Sequence, residues 1–504
     1  MMRAKLVFCL TVVAMMTAQA QMNIDWDENY YLSSLATNGG YAMVSADDGS
    51  VYVLSGRHNG TNNDGLVIKY GSSGGQIWAK SISNGGEDYP LGIDIDAAGN
   101  IYVCCNVDAS GTNQIQCRKY TASGTLSWTE STSGISGATA TAMKFSGTGL
   151  YVTGYSYSSA DDANVLTIKY DTAGSLQWSR SYDQSGSVSN DVEKGLDIDI
   201  RSATDEIYVV GTAYIPDSGN VSLLIKYNIS GVLQWAKVNN EYPSFWERGE
   251  SVAVGGLGLN YGIYYTHNVA GRTYLLKYSP TGIKVWKELI SDTLQFGKTQ
   301  CYFLGGDVYV LAYADGAGST SEGAYLFRYE TDGDLKWMRK TGSDFDNSTS
   351  SSLLTYSDGY LYSADGFEIK TIDTSNGNIL DSFFLVTGVC RMIESRDDGI
   401  LVTGFNSGGP SAYTALLTVT YGIREGNDNM VHVYPNPSHD GVFVIDNQAG
   451  SHLCVLSLSG PVLMQKLMDE EGRINLSAFP DGFYILCLRN EEGLVSYSKV
   501  LIQR

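Results

Sequence analysis

Residues 166–178 read LTIKYDTAGSLQW, and this pattern recurs five more times along the chain. The recurrences are LVIKYGSSGGQIW, QCRKYTASGTLSW, LLIKYNISGVLQW, YLLKYSPTGIKVW and YLFRYETDGDLKW. Most copies alternate apolar and basic residues, and all pass through a glycine-containing turn before reaching a tryptophan. Because alternation with a period of two is typical of strands, each copy predicts two β-strands joined by a tight turn.

The copies are evenly spaced. The tyrosine that ends the alternating strand falls at Tyr70, Tyr120, Tyr170, Tyr227, Tyr278 and Tyr329, in steps of 50, 50, 57, 51 and 51 residues. A degenerate copy follows at Ile372 and a last copy at Tyr421. A period near fifty in an all-β chain is typical of propeller blades, so we predict an eight-bladed β-propeller over residues 21–421. The alternative is seven blades, with the degenerate copy outside the ring.

Each period contains four predicted strands. In the second copy they are residues 91–96, 100–106, 114–120 and 125–130. An Asp-x-x-Gly turn beginning at Asp96 joins the first two strands. Aspartate and glycine suit a tight turn because one bonds the backbone and the other tolerates positive φ.

The eighth copy, residues 389–421, contains three predicted strands and lacks a fourth. Residues 23–26, NIDW, resemble residues 76–78, QIW, of the first copy. We therefore predict that residues 22–33 complete the last blade and close the ring. Closure of this kind would remove two exposed sheet edges, which otherwise invite aggregation.

Tryptophan occupies one position of the fourth strand in most copies. We expect these rings to pack between blades, because a large ring at a fixed position in every repeat buries area between neighbours. The alternative is a ring of aromatic side chains that binds sugars. Trp246 lies outside this register; we expect it to pack within a loop, and a surface contact is the alternative. The residues in register are Trp26, Trp78, Trp128, Trp178, Trp235, Trp286 and Trp337, with Leu380 in the seventh copy.

Composition and charge limit the classes of partner that the protein can bind. The 504 residues include 57 glycines and 35 tyrosines but 9 prolines, and the formal net charge is −21. Residues 1–20 contain Arg3 and Lys5, so without them the charge is −21 minus 2, or −23. A charge of this sign repels phosphate backbones and anionic lipid surfaces, and it argues against nucleic acid as a partner.

Residues 1–20 have the features of a secretory signal peptide. Arg3 and Lys5 precede an apolar run over residues 6–16, and Ala18 and Ala20 form a small-x-small cleavage site. A membrane anchor is the alternative, but the run is shorter than the roughly 20 residues that a span needs. No later stretch is long and apolar enough to span a bilayer, so we expect no transmembrane segment in the mature chain.

The C-terminal residues differ in character from the repeats. Residues 422–430, GIREGNDNM, form a polar linker, and residues 431–504 form a separate domain. Its predicted strands are residues 442–446, 453–458, 461–464, 482–489 and 495–502. We expect a small β-sandwich.

The seven cysteines after the signal region do not form a disulfide framework, since their number is odd and their spacing irregular. Cys104 and Cys105 are adjacent, and Cys117 lies on the strand expected to pair with theirs. We expect buried free thiols; a cross-strand disulfide between Cys117 and one of the two is the alternative.

No catalytic constellation, metal site or cofactor site emerges from the sequence. His58 and His267 lie in different repeats without a nearby histidine or cysteine, and the other three histidines lie after residue 430. The pairs Asp94/Asp96 and Asp197/Asp199 could bind Ca²⁺ or act as acid and base of a glycosidase. We expect turn and strand-end roles for them instead.

The repeat resembles the SBBP-type β-propeller repeat, which carries an Asp-x-x-Gly turn, an Ile-Tyr-Val strand, a Lys-Tyr strand and Gly-x-x-x-Trp. The resemblance covers most of residues 35–421 and implies a propeller without specifying a ligand. The segment ending at Trp178 is also similar to the tryptophan-docking repeat of quinoprotein dehydrogenases. Those enzymes hold a vicinal disulfide, which would correspond to Cys104 and Cys105.

The C-terminal domain contains a series of residues in a recognisable order, namely Tyr434, Pro435, Asn436, Pro437, Gly441, Gly460, Gly482, Tyr484 and Lys499. With this motif, residues 431–504 closely resemble the type A sorting domain of type IX secretion cargo in Bacteroidota. The resemblance implies export through the outer membrane with the type IX machinery as partner, and a protein that is secreted or attached to the cell surface.

These observations favour a non-catalytic, secreted propeller that binds a glycan or a protein. Binding would use the loops at the blade rims and the mouth of the central channel, because loops on a rigid scaffold carry recognition. The alternative is an extracellular enzyme, either a hydrolase or lyase acting on polysaccharides or a quinoprotein-like dehydrogenase.

Overall fold

The computed structural model divides into two compact units, Met22–Val419 and a second unit that contains Thr420–Arg504. Its described elements are β-strands, which confirms the all-β prediction. The structure describes residues 19–31, 39–108, 111–159, 162–184, 186, 191–242, 245–256, 258, 261–291, 294, 296–314, 323–342, 353–357, 359–385, 388–396, 398–406, 411–422, 433–436, 438–445, 451–457, 462–469, 471–489 and 495–504. The predicted signal region therefore lies outside the described residues, apart from its last two positions.

The strands follow in chain order. The first eighteen are β1 (Gln19–Tyr31), β2 (Gly39–Ser45), β3 (Val51–His58), β4 (Asn63–Tyr70), β5 (Gln76–Ile82), β6 (Asp88–Ile95), β7 (Ile101–Asp108), β8 (Asn113–Tyr120), β9 (Leu126–Ser131), β10 (Thr139–Ser146), β11 (Gly149–Ser159), β12 (Asp162–Tyr170), β13 (Leu176–Tyr182), β14 (Asp191–Val192), β15 (Lys194–Arg201), β16 (Glu206–Ile215), β17 (Gly219–Tyr227) and β18 (Leu233–Asn239). The next fifteen are β19 (Glu247–Gly255), β20 (Gly262–Val269), β21 (Arg272–Tyr278), β22 (Lys284–Ser291), β23 (Phe296–Leu304), β24 (Asp307–Ala314), β25 (Gly323–Tyr329), β26 (Leu335–Lys340), β27 (Leu354–Ser357), β28 (Tyr360–Asp365), β29 (Glu368–Asp373), β30 (Ile379–Phe384), β31 (Gly388–Arg396), β32 (Gly399–Asn406) and β33 (Ser411–Gly422). The last seven are β34 (Val433–Tyr434), β35 (Val442–Ile445), β36 (His452–Ser457), β37 (Val462–Leu467), β38 (Arg473–Asn475), β39 (Gly482–Arg489) and β40 (Val495–Ile502).

Strands β1–β33 form eight sheets within the described residues. Seven sheets pair their strands in chain order, namely β2–β5, β6–β9, β10–β13, β15–β18, β19–β22, β23–β26 and β27–β30. Strand β14 adds to one of them by pairing with β12. Each of these sheets is one copy of the sequence repeat, so the period near fifty residues corresponds to four antiparallel strands.

The eighth sheet combines the two ends of this unit, in the order β1-β33-β32-β31. Asn406 donates from Nδ2 to Oδ1 of Asn29 at 2.7 Å. The missing fourth strand of the last copy is therefore supplied by the N-terminal segment, which begins three residues earlier than the sequence predicted.

The second and third strands of each sheet are enclosed on both faces. Every residue of β12 is buried, whereas in the following strand, β13, only Trp178 is buried and the other residues are exposed or half-buried. The lysine of the repeated IKY pattern can be buried because its methylene stem packs against apolar side chains while its ammonium group contacts polar groups. Nζ of Lys169 lies 4.9 Å from the ring centre of Tyr151 and donates to Oγ1 of Thr148 at 3.1 Å.

The hydrophobic core lies between neighbouring sheets. One cluster joins Leu54 and Val67 of the first sheet to Val103 of the second. Another joins Val53 of the first sheet to Leu401 of the eighth, with Trp26 packed against it. In several sheets the first strand also contacts the first strand of the next sheet. Strand β2 contacts β6 and β31, and β10 contacts β6 and β15.

The C-terminal unit contains two sheets, in the orders β34-β35-β38 and β37-β36-β39-β40. Both contribute to one core, which includes Phe443 and Ile474 from the first sheet and Val455 and Leu486 from the second. The short strands β34 and β38 were not predicted from the sequence, because they contain two and three residues.

Cys104 and Cys117 lie opposite each other on β7 and β8 and form a disulfide, with Cα atoms 4.2 Å apart. The expectation of free thiols is therefore wrong for this pair. Cys105, Cys301 and Cys390 are each buried free thiols, as expected. The disulfide joins two strands, so it is not the vicinal one implied by the similarity to quinoprotein dehydrogenases.

Candidate functional site

Seven of the eight tryptophans share one geometry. Each indole N–H donates to a backbone carbonyl in the turn between the third and fourth strands of the neighbouring sheet. The pairs are Trp26 with Ser72 (3.0 Å), Trp78 with Ala122 (3.3 Å), Trp128 with Thr172 (3.2 Å), Trp178 with Ile229 (3.0 Å), Trp235 with Pro280 (3.1 Å), Trp286 with Thr331 (3.1 Å) and Trp337 with Thr374 (2.8 Å). We call these the docked tryptophans.

Each docked ring also lies against a glycine of the same turn. Gly231 has φ +71°, and a Cβ built there would stand 2.5 Å from Trp178. Gly74 has φ +88°, and its Cβ would stand 2.7 Å from Trp26. Glycine is required at these positions both for the left-handed backbone and for the close approach of the ring.

Trp246 differs from the docked tryptophans. It immediately precedes β19, its side chain is 64% exposed, and its neighbour Phe245 is 54% exposed. Its indole N–H has no hydrogen-bond partner among the described residues. Trp246 lines a cavity of about 380 Å³ with Arg248, Asn268, residues 269–272 and Phe296, and we call this cavity the Trp246 cup.

Strand pairing builds the cup. Arg248 of β19 lies opposite Asn268 of β20, so their side chains share one face of the sheet. Arg248 donates from Nη2 to the carbonyl of Gly297 at 3.0 Å and forms an ion pair with Glu250. Asn268 accepts from Oγ1 of Thr273 at 2.6 Å, and its side chain also bonds to Glu250. The cup therefore contains an anchored cation.

A two-residue turn leads to a cation on the other face of the sheet, because Arg272 is two residues from Tyr274, which lies opposite His267. Ala270 and Gly271 have φ values of 50° and 75° and connect β20 to Arg272, the first residue of β21. The Arg272 side chain is exposed, and its Nη1 donates to the hydroxyl oxygen of Tyr242 at 3.3 Å. Among the described residues, no carboxylate forms an ion pair with Arg272.

The opposite face of the same two strands holds a buried pair. His267 is 1% exposed, and its Nε2 lies 3.5 Å from Oε2 of Glu247, which is also buried. The other oxygen of Glu247 accepts the backbone N–H of Glu241 at 3.0 Å and of Tyr242 at 2.7 Å. Burial lowers the pKa of His267 to about 4 and raises the pKa of Glu247. Nothing in the sequence indicated this pairing.

A second cavity, of about 610 Å³, is lined by the first strands of seven sheets, including β2, β6, β10 and β15. Asp197 and Glu250 are its acidic lining residues. Three half-buried aspartates on the first strands of two sheets bond to neighbouring sheets. Asp94 accepts the backbone N–H of Phe145 at 2.8 Å, Asp197 that of Val252 at 2.9 Å, and Asp199 that of Val254 at 2.7 Å. Burial raises the pKa of Asp94 and of Asp197.

The two acid pairs singled out in the sequence have structural partners. Asp96 accepts the backbone N–H groups of Ala98 and Asn100 within its own turn, at 3.0 and 2.9 Å. Lys144 forms an ion pair with Asp199. Among the described residues, no cluster of three or more histidine, cysteine, aspartate or glutamate side chains is arranged to hold a metal.

The sorting-motif residues lie in the C-terminal unit. Asn436 accepts the backbone N–H of Leu501 at 2.9 Å, and Tyr484 donates to the carbonyl of Pro480 at 2.7 Å. Gly441 has φ +74° and approaches Ser477 closely. Tyr434, Pro435 and Gly482 are described, whereas Pro437, Gly460 and the side chain of Lys499 lie outside the described residues, as do Ala18 and the side chain of Ala20.

Residues 432–503 match the family model of the secretion system C-terminal sorting domain. This segment is a C-terminal sorting domain. It indicates secretion through the type IX system and a cell-surface or secreted location, and it implies an interaction with the type IX machinery. Sequence motifs alone had pointed to the same family.

Other comparisons are less informative. No curated protein matches the chain in sequence. A solved structure with some similarity is the computationally designed Ika8 protein, at 13% identity and a TM-score of 0.46, covering 76% of this chain and 96% of that one. A likeness at this level does not establish a shared fold. Within the described residues, no helix has the length and apolar character needed to cross a bilayer.

Proposed function

We propose that residues 21–421 form an SBBP-type, eight-bladed β-propeller that acts as a non-catalytic glycan-binding module outside the cell. In this proposal the Trp246 cup is the binding site. Residues 1–20 are a cleaved signal peptide, residues 422–430 are a linker, and the sorting domain of residues 431–504 directs export.

Closure of the ring is supported by contacts between the first and last sheets. Trp26 of β1 donates to Ser72 and lies against Gly74, as each other docked tryptophan does in its own neighbouring turn. Arg396 donates from Nη1 to the carbonyl of Gly49 at 2.6 Å. The eighth sheet is thus joined to the first by the same contact that joins the other sheets, and we infer that the docked tryptophans are the blade-packing residues.

The observation that carries the binding role is the exposure of Trp246 within a cavity. An indole face offers an apolar surface against which the C–H groups of a sugar ring can stack, while polar groups at the rim fix its orientation. Arg248 and Asn268 are the polar side chains that line the same cavity. No comparable role remains for the docked tryptophans, because their N–H groups and one ring face already contact a neighbouring turn.

A non-catalytic role is favoured over hydrolysis by the hydrogen bonds of the half-buried aspartates. Asp94, Asp197 and Asp199 each accept a backbone N–H from an adjacent sheet, so their oxygens serve packing between sheets. The cup itself is lined by two arginines, an asparagine and aromatic groups, and no carboxylate faces it among its lining residues. Glycoside hydrolysis generally needs a pair of carboxyl groups at the bond that is cleaved.

The test is a glycan panel of neutral and charged oligosaccharides, applied to the wild type and to Trp246→Ala. We expect binding by the wild type and at least about a fivefold loss in the variant, by analogy with the roughly 1–3 kcal/mol that stacking of a base on an aromatic side chain contributes. Turnover of any panel member, or equal binding by both proteins, would refute the proposal.

Export has its own test. A chain lacking residues 431–504 should fold and accumulate in the periplasm, whereas the full chain should reach the cell surface or the medium. Cell fractionation distinguishes the two locations. Normal surface delivery of the truncated chain would show that the sorting domain is dispensable.

A further inference from the structure

We propose that the ligand of the unit Met22–Val419 is an extended, uncharged polysaccharide, which runs from the Trp246 cup to further exposed aromatic rings at the same end of the sheets. The proposal rests on the proposed glycan-binding function and adds the class of ligand, a polymer in place of a short sugar. Its basis is the position of the exposed aromatic side chains.

Among the described residues of this unit, the exposed aromatic side chains lie at one end of the sheets. This end carries the turns between second and third strands and the connections from each fourth strand to the next sheet. The docked tryptophans contact the turns at the other end, between third and fourth strands, so equivalent ends of neighbouring sheets lie together. We call the first end the aromatic end. Its exposed rings are Tyr89, Tyr157, Phe245, Trp246, Phe367 and Phe384.

The opposite end has a different composition. Its turns between third and fourth strands expose aliphatic side chains, namely Ile229, Val232 and Ile283. Single exposed apolar side chains are common on protein surfaces, but a difference in type between two ends of one unit is not expected from chance exposure. An aromatic ring offers a flat apolar face to the C–H groups of a sugar, whereas a branched aliphatic side chain does not.

Two of the exposed rings are held in place by neighbouring segments. Tyr89, on the second sheet, bonds to Asn63 of the first sheet and to Glu87. Tyr157 lies against Gly137, in the connection between the second and third sheets, where a Cβ would stand 2.7 Å from its ring. Rings that are already fixed lose little conformational freedom when a ligand binds, which favours affinity.

The distribution of the rings favours a long ligand. Trp246 leads into the fifth sheet, whereas Tyr157 belongs to the third and Phe384 to the seventh. Because neighbouring sheets pack about 10 Å apart, a short sugar in the cup cannot reach rings two sheets away. A protein partner would bury one contiguous apolar patch, whereas these rings lie on separate sheets. The net charge of −21 repels polyanions, so an uncharged polysaccharide fits best.

The test is isothermal titration of the full chain with ladders of cello-, xylo- and manno-oligosaccharides, from disaccharide to decasaccharide, and with the soluble parent polymers. The affinity of the wild type should rise with length beyond what the cup can hold, because each further ring adds a linked contact. Phe384→Ala and Tyr89→Ala should each weaken binding of the polymer by at least about fivefold and leave binding of the disaccharide unchanged. Trp246→Ala should weaken binding at every length.

Ile283→Ala is the matched control, since Ile283 is 66% exposed, Phe384 is 65% exposed, and the two lie at opposite ends of the sheets. It should leave every affinity unchanged. Equal affinity of the wild type for all lengths, or full binding of the polymer by Phe384→Ala and Tyr89→Ala, would overturn this inference and leave the proposed function intact.

Two further outcomes are distinct from these. Failure of the wild type to bind any ladder or any member of the glycan panel would overturn the proposed function itself. Self-association of the full chain that Phe384→Ala abolishes, measured by sedimentation, would assign the aromatic end to contact with a second copy and would overturn the inference.

Discussion

The docked tryptophans and Trp246 are the same residue type in the same unit, and they have opposite environments. Trp178 is 6% exposed, donates to the neighbouring turn and presses on a glycine; Trp246 is 64% exposed and donates to no described residue. The first arrangement repeats at seven positions with the period of the sequence. The second occurs at one position that breaks the period.

The difference separates stability from recognition. A side chain that recurs in every repeat packs tightly against its neighbours, so its surface is buried within the fold. A side chain outside the repeat is free of that requirement, so its apolar face is available to a ligand. In this propeller-like unit, departures from the repeat are therefore better indicators of function than the repeat itself.

The largest expected effect is on a docked ring. Trp178→Ala should lower the free energy of unfolding by about 3–5 kcal/mol, because it leaves a cavity between two sheets and an unpaired carbonyl at Ile229. Denaturant unfolding followed by circular dichroism measures the change. A loss below about 1 kcal/mol would show that docking contributes little, in contrast to other buried tryptophans.

The glycine beneath that ring offers a sharper comparison. Gly231→Ala combines a left-handed backbone with a clash against Trp178, whereas Gly219→Ala has a similar φ of +86° and no atom within 4 Å of the new Cβ. Both variants incur the backbone cost of about 1–2 kcal/mol. Only the first should lose a further 1–3 kcal/mol or so from overpacking.

The difference between the free energies of unfolding of these two variants gives the cost of the clash between the new Cβ and Trp178. Equal destabilisation would mean that the indole moves aside without cost. That outcome would weaken the distinction between docked and exposed rings.

The buried face behind the cup predicts a pH effect. Because the folded pKa of His267 is about 4, below its ordinary value near 6.5, its contribution to stability is complete above pH 6.5 and is lost as the pH falls towards 4. From pH 7 to pH 5 the wild type should lose about 2 kcal/mol more than His267→Gln. Glu247, whose pKa is raised, acts in the opposite direction in both proteins and cancels to first order.

Denaturant titrations at the two pH values measure this difference. Parallel losses in wild type and variant would mean that His267 titrates normally, and that the pair with Glu247 is open to water. The expected difference would show that the sheet face behind the cup is closed to water.

The smallest expected effect is on Trp246 itself. Trp246→Ala should change the free energy of unfolding by less than about 0.5 kcal/mol, as surface substitutions usually do. Thermal unfolding beside Trp178→Ala provides the direct contrast. A destabilisation comparable to that of Trp178→Ala would assign Trp246 to packing, as the sequence alone had suggested.

The repeat could be predicted from the sequence because its determinants are local. A strand, a glycine turn and Trp178 lie within thirteen residues, and residues 23–26 match the fourth strand closely enough to predict the pairing of β1 with the last copy. The cysteine pairing could not be decided, since a shift of one residue in register exchanges Cys104 for Cys105.

The cup could not be predicted either, because its residues meet only through the strand register. Arg248 and Asn268 are twenty residues apart, and they meet through a register that contains a shift between Gly249 and Val252. Arg272 and Phe296 lie further along the chain and join the cup only through folding. The one available signal was that Trp246 falls outside the repeat, and without the neighbouring residues it suggested loop packing.

The most direct measurement is the affinity of Trp246→Ala for the oligosaccharide that the wild type binds best, taken on protein whose unfolding midpoint is also recorded. We predict at least about a fivefold loss of affinity with an unchanged midpoint. Retained affinity, or a lost affinity explained by a lower midpoint, would contradict it.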